Sequence, residues 1–270
     1  TIDLGGRRFR IGLDSAHGIA ITQRFDGTQP RWFASPPARA SALRAGSFTG
    51  RVAQGASCNC SSLSLVPHCD GTHTECAGHL TREPLDVLDV VPPGFMPALL
   101  LSIKPAAAGP PHGEDSDPVP QAGDELLTAA AITAAWPASL PCTPVALVLR
   151  TLPNPPDKRS RDYRRERSPY LSRQAATLLV ERGIRHLVLD LPSADRDDDG
   201  GALTAHRIFF GLPPGGSALG SAGRADATIT ELAYVPDALG DGLWALQLQV
   251  PALAGDALPS RPLLCALEPE

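Results

Sequence analysis

Three of the chain's seven histidines, His68, His73 and His79, fall within twelve residues, together with Cys69 and Glu75. Imidazole, carboxylate and thiolate are the groups that divalent transition metals take from proteins, and the spacing is that of a metal site. With one histidine to spare, the set can hold an ion and keep a proton carrier beside it, as metal-assisted hydrolysis requires. A closed set of four ligands would instead make a metal-binding module with a structural site and no turnover. The two readings differ at His79, which is a proton carrier in the first and a ligand in the second.

In an extended strand alternate residues share a face, so Cys69, Gly71, His73 and Glu75 are expected to point one way. His68 has the opposite parity and joins them only through a bulge or turn, for which Asp70-Gly71 is a suitable place. His73 and Glu75 are therefore the first choices as ligands, and His68 and Cys69 compete for a third position. His79 lies four residues beyond Glu75, within reach as a general acid or base.

Other constellations carry less. Asp195 to Gly200 mimics the start of a calcium loop, but position twelve is His206 instead of a glutamate and the preceding segment reads as a strand. That run is expected to be an exposed turn before a helix containing His206. The basic residues from Lys158 to Arg167 form either a solvated loop or a flap that draws in an anionic substrate. Cys58 and Cys60 have one residue between them, which suits neither redox nor zinc-knuckle spacing. Gly211 to Gly223 contains no phosphate-loop or dinucleotide pattern, and no Gly-x-Ser-x-Gly elbow occurs. Trp32, Trp136 and Trp244 are core residues or pocket walls.

The elements that must position these groups read as α/β. Strands are expected at Phe9–Leu13, Gly18–Ile21, Ala146–Thr151, Arg185–Leu191, Thr228–Val235 and Leu243–Val250. Helices are expected at Asp124–Trp136 and at Arg173–Arg182, the latter capped by Ser172 and terminated by Gly183. Strand, helix and strand in the order 146–191 predict a parallel crossover. Loop insertions are expected near 105–123, 153–169 and 211–226, within one domain spanning 1–270.

A chain of 270 residues can bury one large core. A net charge of −5 gives a phosphate backbone no basic surface, so no nucleic-acid partner is expected. No apolar run is long enough to span a bilayer, so no membrane partner is expected either. Six unevenly spread cysteines in a chain of this length read as reduced thiols in a cytoplasmic protein. Thr1 to Arg10 has no signal-peptide core, although the missing initiator methionine leaves room for a removed leader.

The segment His68 to His79 resembles the His-x-Gly-Thr-His-x-Asp-x-Pro-x-His motif of the cyclase family of metal-dependent hydrolases, which includes bacterial kynurenine formamidases (arylformamidases) and isatin hydrolases. Asp190-Leu-Pro-Ser-Ala-Asp195, followed by His206, resembles that family's Asp-x-Pro-Ser-x-Asp…His segment, and Thr230-Glu231-Leu232 its late Glu segment. The resemblance implies a swivelling β/β/α architecture with mixed sheets and a homo-oligomer. It also implies one or two divalent ions, Zn2+ or Mn2+. His73 would match a metal histidine, Glu75 the aspartate ligand, His79 the catalytic histidine, and His206 and Glu231 the distal ligands. Metal-bound hydroxide would attack an amide carbonyl while His79 relays protons, with N-formylkynurenine or a cyclic amide as the small-molecule substrate. This chain differs from the motif in four ways. One extra residue separates His68 from Gly71, leaving Cys69 at the family's ligand spacing. Glu75 replaces aspartate, Ala77 replaces proline, and His206 and Glu231 are farther apart.

Overall fold

The computed structural model describes residues 1–4, 6–12, 14, 16–109 and 113–270. Leu13, at the end of one expected strand, and residues 110–112 of one expected insertion lie outside them. The architecture is mixed α/β. Four neighbouring strands, Met96–Ile103, Ala146–Thr151, His186–Leu189 and Thr228–Glu231, run parallel at the centre of a large mixed sheet. Gly242–Gln247 and then Leu263–Pro269 extend it antiparallel on one side. His73–Cys76 and then Ala257–Pro259 extend it antiparallel on the other.

The central strands are runs of Leu, Val and Ala because both faces of the sheet are covered. Leu99, Leu101, Leu147, Leu149, Leu187, Leu189 and Ile229 point to one side, against Ile132, Ala176, Leu179, Phe209 and Phe210 of the helices. The alternate residues Ala98, Leu100, Ala146, Val148 and Val188 point to the other, with Leu246 and Leu264. This two-sided core places the strands' carboxyl ends together at one edge, where ligands bind in sheets of this kind.

Ala146–Thr151 and the helix Arg173–Glu181 form as expected. The Ser172 side chain accepts from Ala175 N, and Gly183 supplies the left-handed turn at φ 75°. The strand that follows pairs parallel with Ala146–Thr151. The other expected strands are observed as shorter or shifted segments, at Arg7–Ile11, His17–Gly18, Thr228–Glu231 and Gly242–Gln247.

The expected helix at 124–136 needs correction. Glu125–Leu127 is a strand paired with Ala106–Ala107 and Tyr170–Leu171. The helix begins at Ala129, where Thr128 accepts from Ala131 N. Asp124, expected to open that helix, is instead buried and accepts hydrogen bonds from Tyr170 Oη and Arg167 Nη1 at 3.0 Å each. No helix among the described residues is long and apolar enough to cross a membrane.

Candidate metal centre

Strand register brings the first candidate ligands together. His73–Cys76 pairs antiparallel with Thr228–Glu231, so that His73 lies opposite Glu231 and Glu75 opposite Ile229. Their shared parity puts His73, Glu75 and Glu231 on one face, and all three are buried. His73 Nε2 is 3.5 Å from Glu231 Oε2. On its other side His73 Nδ1 is 3.0 Å from the Gly71 carbonyl, which makes Nδ1 the donor and, in the neutral ring, leaves Nε2 free to face the site. Buried Nε2 has no hydrogen-bond partner.

The helix Thr204–Phe210 delivers His206 into the same space. Asp195, read from the sequence as part of an exposed turn, is buried at the start of this helix and organises it. Its carboxylate accepts from Ala205 N at 2.7 Å and His206 N at 3.1 Å, and lies 2.6 Å from His206 Nδ1. Only the following residues of the acidic run form the loop rim. With Nδ1 donating to Asp195, His206 Nε2 faces Glu75 Oε1 at 2.7 Å and Glu231 Oε1 at 3.5 Å. Glu231 Oε1 is further held by Ala194 N at 2.7 Å.

The segment before this strand departs from the extended reading. Pro67–Asp70 is a short helix with proline in its first turn. Helical geometry replaces the alternation assumed for 68–71, so His68 turns inward despite its parity. Its Nε2 lies 3.4 Å from Glu75 Oε2. Cys69 instead becomes part of the pocket wall and stands outside the groups of converging ligand atoms. Burial pushes its thiol pKa up, with Ser35 opposing that shift.

His79, in the single turn Ala77–Leu80, stands at the rim with its Nε2 4.0 Å from Glu75 Oε2. The sequence reading missed Asp256. Its carboxylate lies 3.2 Å from His68 Nε2 and 3.5 Å from His79 Nδ1. Asp256 immediately precedes the strand Ala257–Pro259, which joins the sheet beside His73–Cys76. A lone aspartate in a Gly-Asp turn carries no metal signal in sequence; only strand pairing brings it here.

Electrostatics describe a centre that demands positive charge. Burial pushes the Glu75 carboxyl up, but His206, His79 and His68 outweigh it and hold the group well below the usual carboxylate range. Burial likewise pushes His206 down, and Glu75, Asp195 and Glu231 raise it well above the ordinary imidazole value. A proton can answer that demand, and so can a cation. Two ring nitrogens, which a cation can hold in place of a proton, and two carboxylates, fixed from behind by Gly71, Asp195 and Ala194, are a suitable donor set for a divalent ion.

A cavity of about 490 Å3 opens onto these atoms, lined in part by Trp32, Phe33, Leu203 and Arg196. Phe33, Leu203 and Leu232 are the non-glycine residues with left-handed backbone among those described, at φ 54°, 47° and 52°. Two line the cavity and the third follows Glu231, so local strain is concentrated around the site. Of the other tryptophans, Trp136 stacks under Arg182 and Trp244 belongs to the sheet. The basic run is engaged elsewhere: Lys158 pairs with Asp190, Arg161 with Asp157, Arg164 and Arg165 with Asp162, and Arg167 with Asp124.

A profile of the Cyclase family, described as "Putative cyclase", matches residues 19–196. Among solved structures, a predicted metal-dependent hydrolase from Bacillus stearothermophilus is 17% identical, with a TM-score of 0.56 over 93% of this chain and 98% of its own. Isatin hydrolase A from Labrenzia aggregata, bound to benzyl benzoate, is 16% identical, with a TM-score of 0.57 over 95% and 97%. Isatin hydrolase A from Ralstonia solanacearum is 15% identical, with a TM-score of 0.59 over 94% and 93%. At these identities the likeness is one of fold. No curated protein matches the sequence. The matched segment holds the histidine cluster and the Asp190–Asp195 loop, and the chain belongs to the Cyclase family.

Proposed function

We propose that the protein is a divalent-metal-dependent hydrolase of a small amide C–N bond, either a formamide, as in arylformamidases, or a cyclic amide. The observation that carries this reading is the buried group His73, Glu75 and Glu231, joined by His206 Nε2 at 2.7 Å from Glu75 Oε1 and 3.5 Å from Glu231 Oε1, beneath an open cavity lined by Glu75, His206, Glu231 and His79. His73, Glu75, His206 and Glu231 would hold the ion, with His68 beside them. Bound there, Zn2+ or Mn2+ would polarise the amide carbonyl and bring the pKa of water towards neutrality.

The chain's own residues then do the rest. Trp32, Phe33 and Leu203 offer apolar walls to the organic part of the substrate. His79 is partly exposed and stands above the carboxylates without being drawn into the buried set. It can accept a proton from water as the new C–O bond forms, then give that proton to the nitrogen as the C–N bond breaks. The isatin hydrolases that share the fold favour a cyclic amide as much as N-formylkynurenine. We further take the chain as one hydrolase domain that forms homo-oligomers, and its six free thiols support a cytoplasmic setting.

A closed structural centre is the competing reading, and His79→Gln separates the two. The hydrolase reading expects turnover to fall by about 10²–10⁴-fold with metal content retained. Loss of metal together with a lowered melting temperature would make His79 a structural ligand.

A further inference from the structure

Asp256 has no part in the hydrolytic scheme, yet it faces two histidines of the site. Its Oδ2 is 3.2 Å from His68 Nε2 and 3.5 Å from His79 Nδ1, and His68 Nε2 is 3.4 Å from Glu75 Oε2. A tetrahedral ion with bonds of about 2.0–2.1 Å sets its ligand atoms roughly 3.3–3.4 Å apart, so the separations among His68, His79 and Asp256 suit donors gathered around a common centre, with Glu75 Oε2 next to His68. His68 Nε2 is buried and has no hydrogen-bond partner, although two carboxylate oxygens lie within 3.4 Å. Glu75 divides its oxygens: Oε1 faces His206, and Oε2 faces His68 and His79.

We propose that His68, His79 and Asp256, with Glu75 Oε2 beside His68, form an outer cation site of this protein, and that filling it with zinc inhibits turnover. The proposal rests on the hydrolase reading only for its inhibitory half. The inner donors are buried, whereas the Asp256 side chain is 41% exposed and those of His68 and His79 are 27% and 28% exposed. The outer position therefore exchanges with solvent and fills after the inner one. While a ring nitrogen of His79 is held by a cation, that imidazole cannot swing between water and the leaving nitrogen. Occupation of the outer site thus removes the proton carrier and leaves the inner donors in place.

The test titrates chelator-stripped full-length protein with Zn2+ by calorimetry and follows amide hydrolysis over the same range. The wild type should bind a tight first equivalent and a weaker second, with turnover rising through the first and falling through the second. In D256A and D256N the second affinity should weaken on the order of 100-fold, since disturbing even a ligand's outer partner costs 10–100-fold. The first equivalent should persist and inhibition by excess zinc should disappear. Thermal melts of the stripped variants confirm that they fold.

A second equivalent bound as tightly by both variants as by the wild type, or the absence of one in the wild type, would overturn the outer site. Persistence of zinc inhibition in variants that no longer bind the second ion would overturn its inhibitory role. Failure of the first equivalent to bind would instead refute the hydrolase reading, so the two failures remain distinct.

Discussion

His206 Nε2 and Glu75 Oε1 lie 2.7 Å apart, and the imidazole's other nitrogen is committed to Asp195. Two electron-rich atoms at that separation repel each other unless a proton or a cation is shared by both. A carboxylate behind a metal histidine fixes the ring and increases its basicity. Asp195→Asn keeps the shape but weakens that support. Metal affinity should fall 10–100-fold by calorimetry. The same carboxylate caps the helix Thr204–Phe210, a task asparagine can also perform, so it is metal-free Asp195→Ala that should lose about 1 kcal/mol in urea denaturation.

Asp190 belongs to the same loop but does a different task. Its carboxylate is buried and accepts from Thr151 N, Thr151 Oγ1 and Lys158 Nζ, the last at 2.8 Å. This pins the loop that carries Ala194 and Asp195 towards the site. Lys158→Met would leave a buried carboxylate without its cation and should cost about 3–5 kcal/mol. Adding Asp190→Leu should recover part of that loss, because the desolvated charge is gone. A double-mutant cycle by chemical denaturation measures the coupling.

The edge of the site depends on a glycine. A Cβ at Gly78 would lie 2.5 Å from the Leu85 carbonyl oxygen and 3.2 Å from Asp256 Cβ. The first neighbour is backbone and cannot rotate away. Gly78→Ala should therefore destabilise the protein by about 1–3 kcal/mol, the usual cost of overpacking. It should also weaken binding of a second zinc ion by displacing Asp256. Thermal denaturation and calorimetry report the two effects separately.

His186 gives the protein a pH dependence unrelated to metal. It is buried, with Nδ1 2.9 Å from Thr228 Oγ1, and burial pushes its pKa down from 6.5 to about 4. Below pH 6.5 the unfolded chain takes up a proton that the folded chain refuses until about pH 4. Unfolding is therefore favoured as pH falls through this window, and the stabilisation is fully present only above it. The loss amounts to about 3 kcal/mol by pH 4. His186→Gln should remove this part of the slope in urea midpoints measured from pH 7.5 to 4.

Strand parity made the pair His73 and Glu75 of the candidate site legible in the sequence, since residues two apart share a face. Glu231 and His206 entered only through the family resemblance, because no local pattern foretells that Glu231 falls opposite His73. The error at 68–71 arose where Pro67 starts a helical turn, which turns His68 inward and makes Cys69 part of the wall. The strand Met96–Ile103 escaped notice although it is central. Pro97 argues against an interior strand, but it is tolerated because only a carbonyl is needed there, accepting from Val145 N at 3.0 Å. Asp256 lies in a turn whose meaning comes entirely from tertiary pairing. Asp195 looked like one of several surface acids, and only the helix it caps sets it apart.

The most direct test strips the protein with a chelator, adds back Zn2+ or Mn2+ in measured equivalents, and assays hydrolysis of N-formylkynurenine and isatin at each step. Turnover of at least one substrate should vanish on stripping and return with the first equivalent. Glu231→Ala should abolish both that binding and the recovery. A folded protein that takes up neither ion, or whose hydrolysis is indifferent to chelation, would contradict a metal-dependent hydrolase.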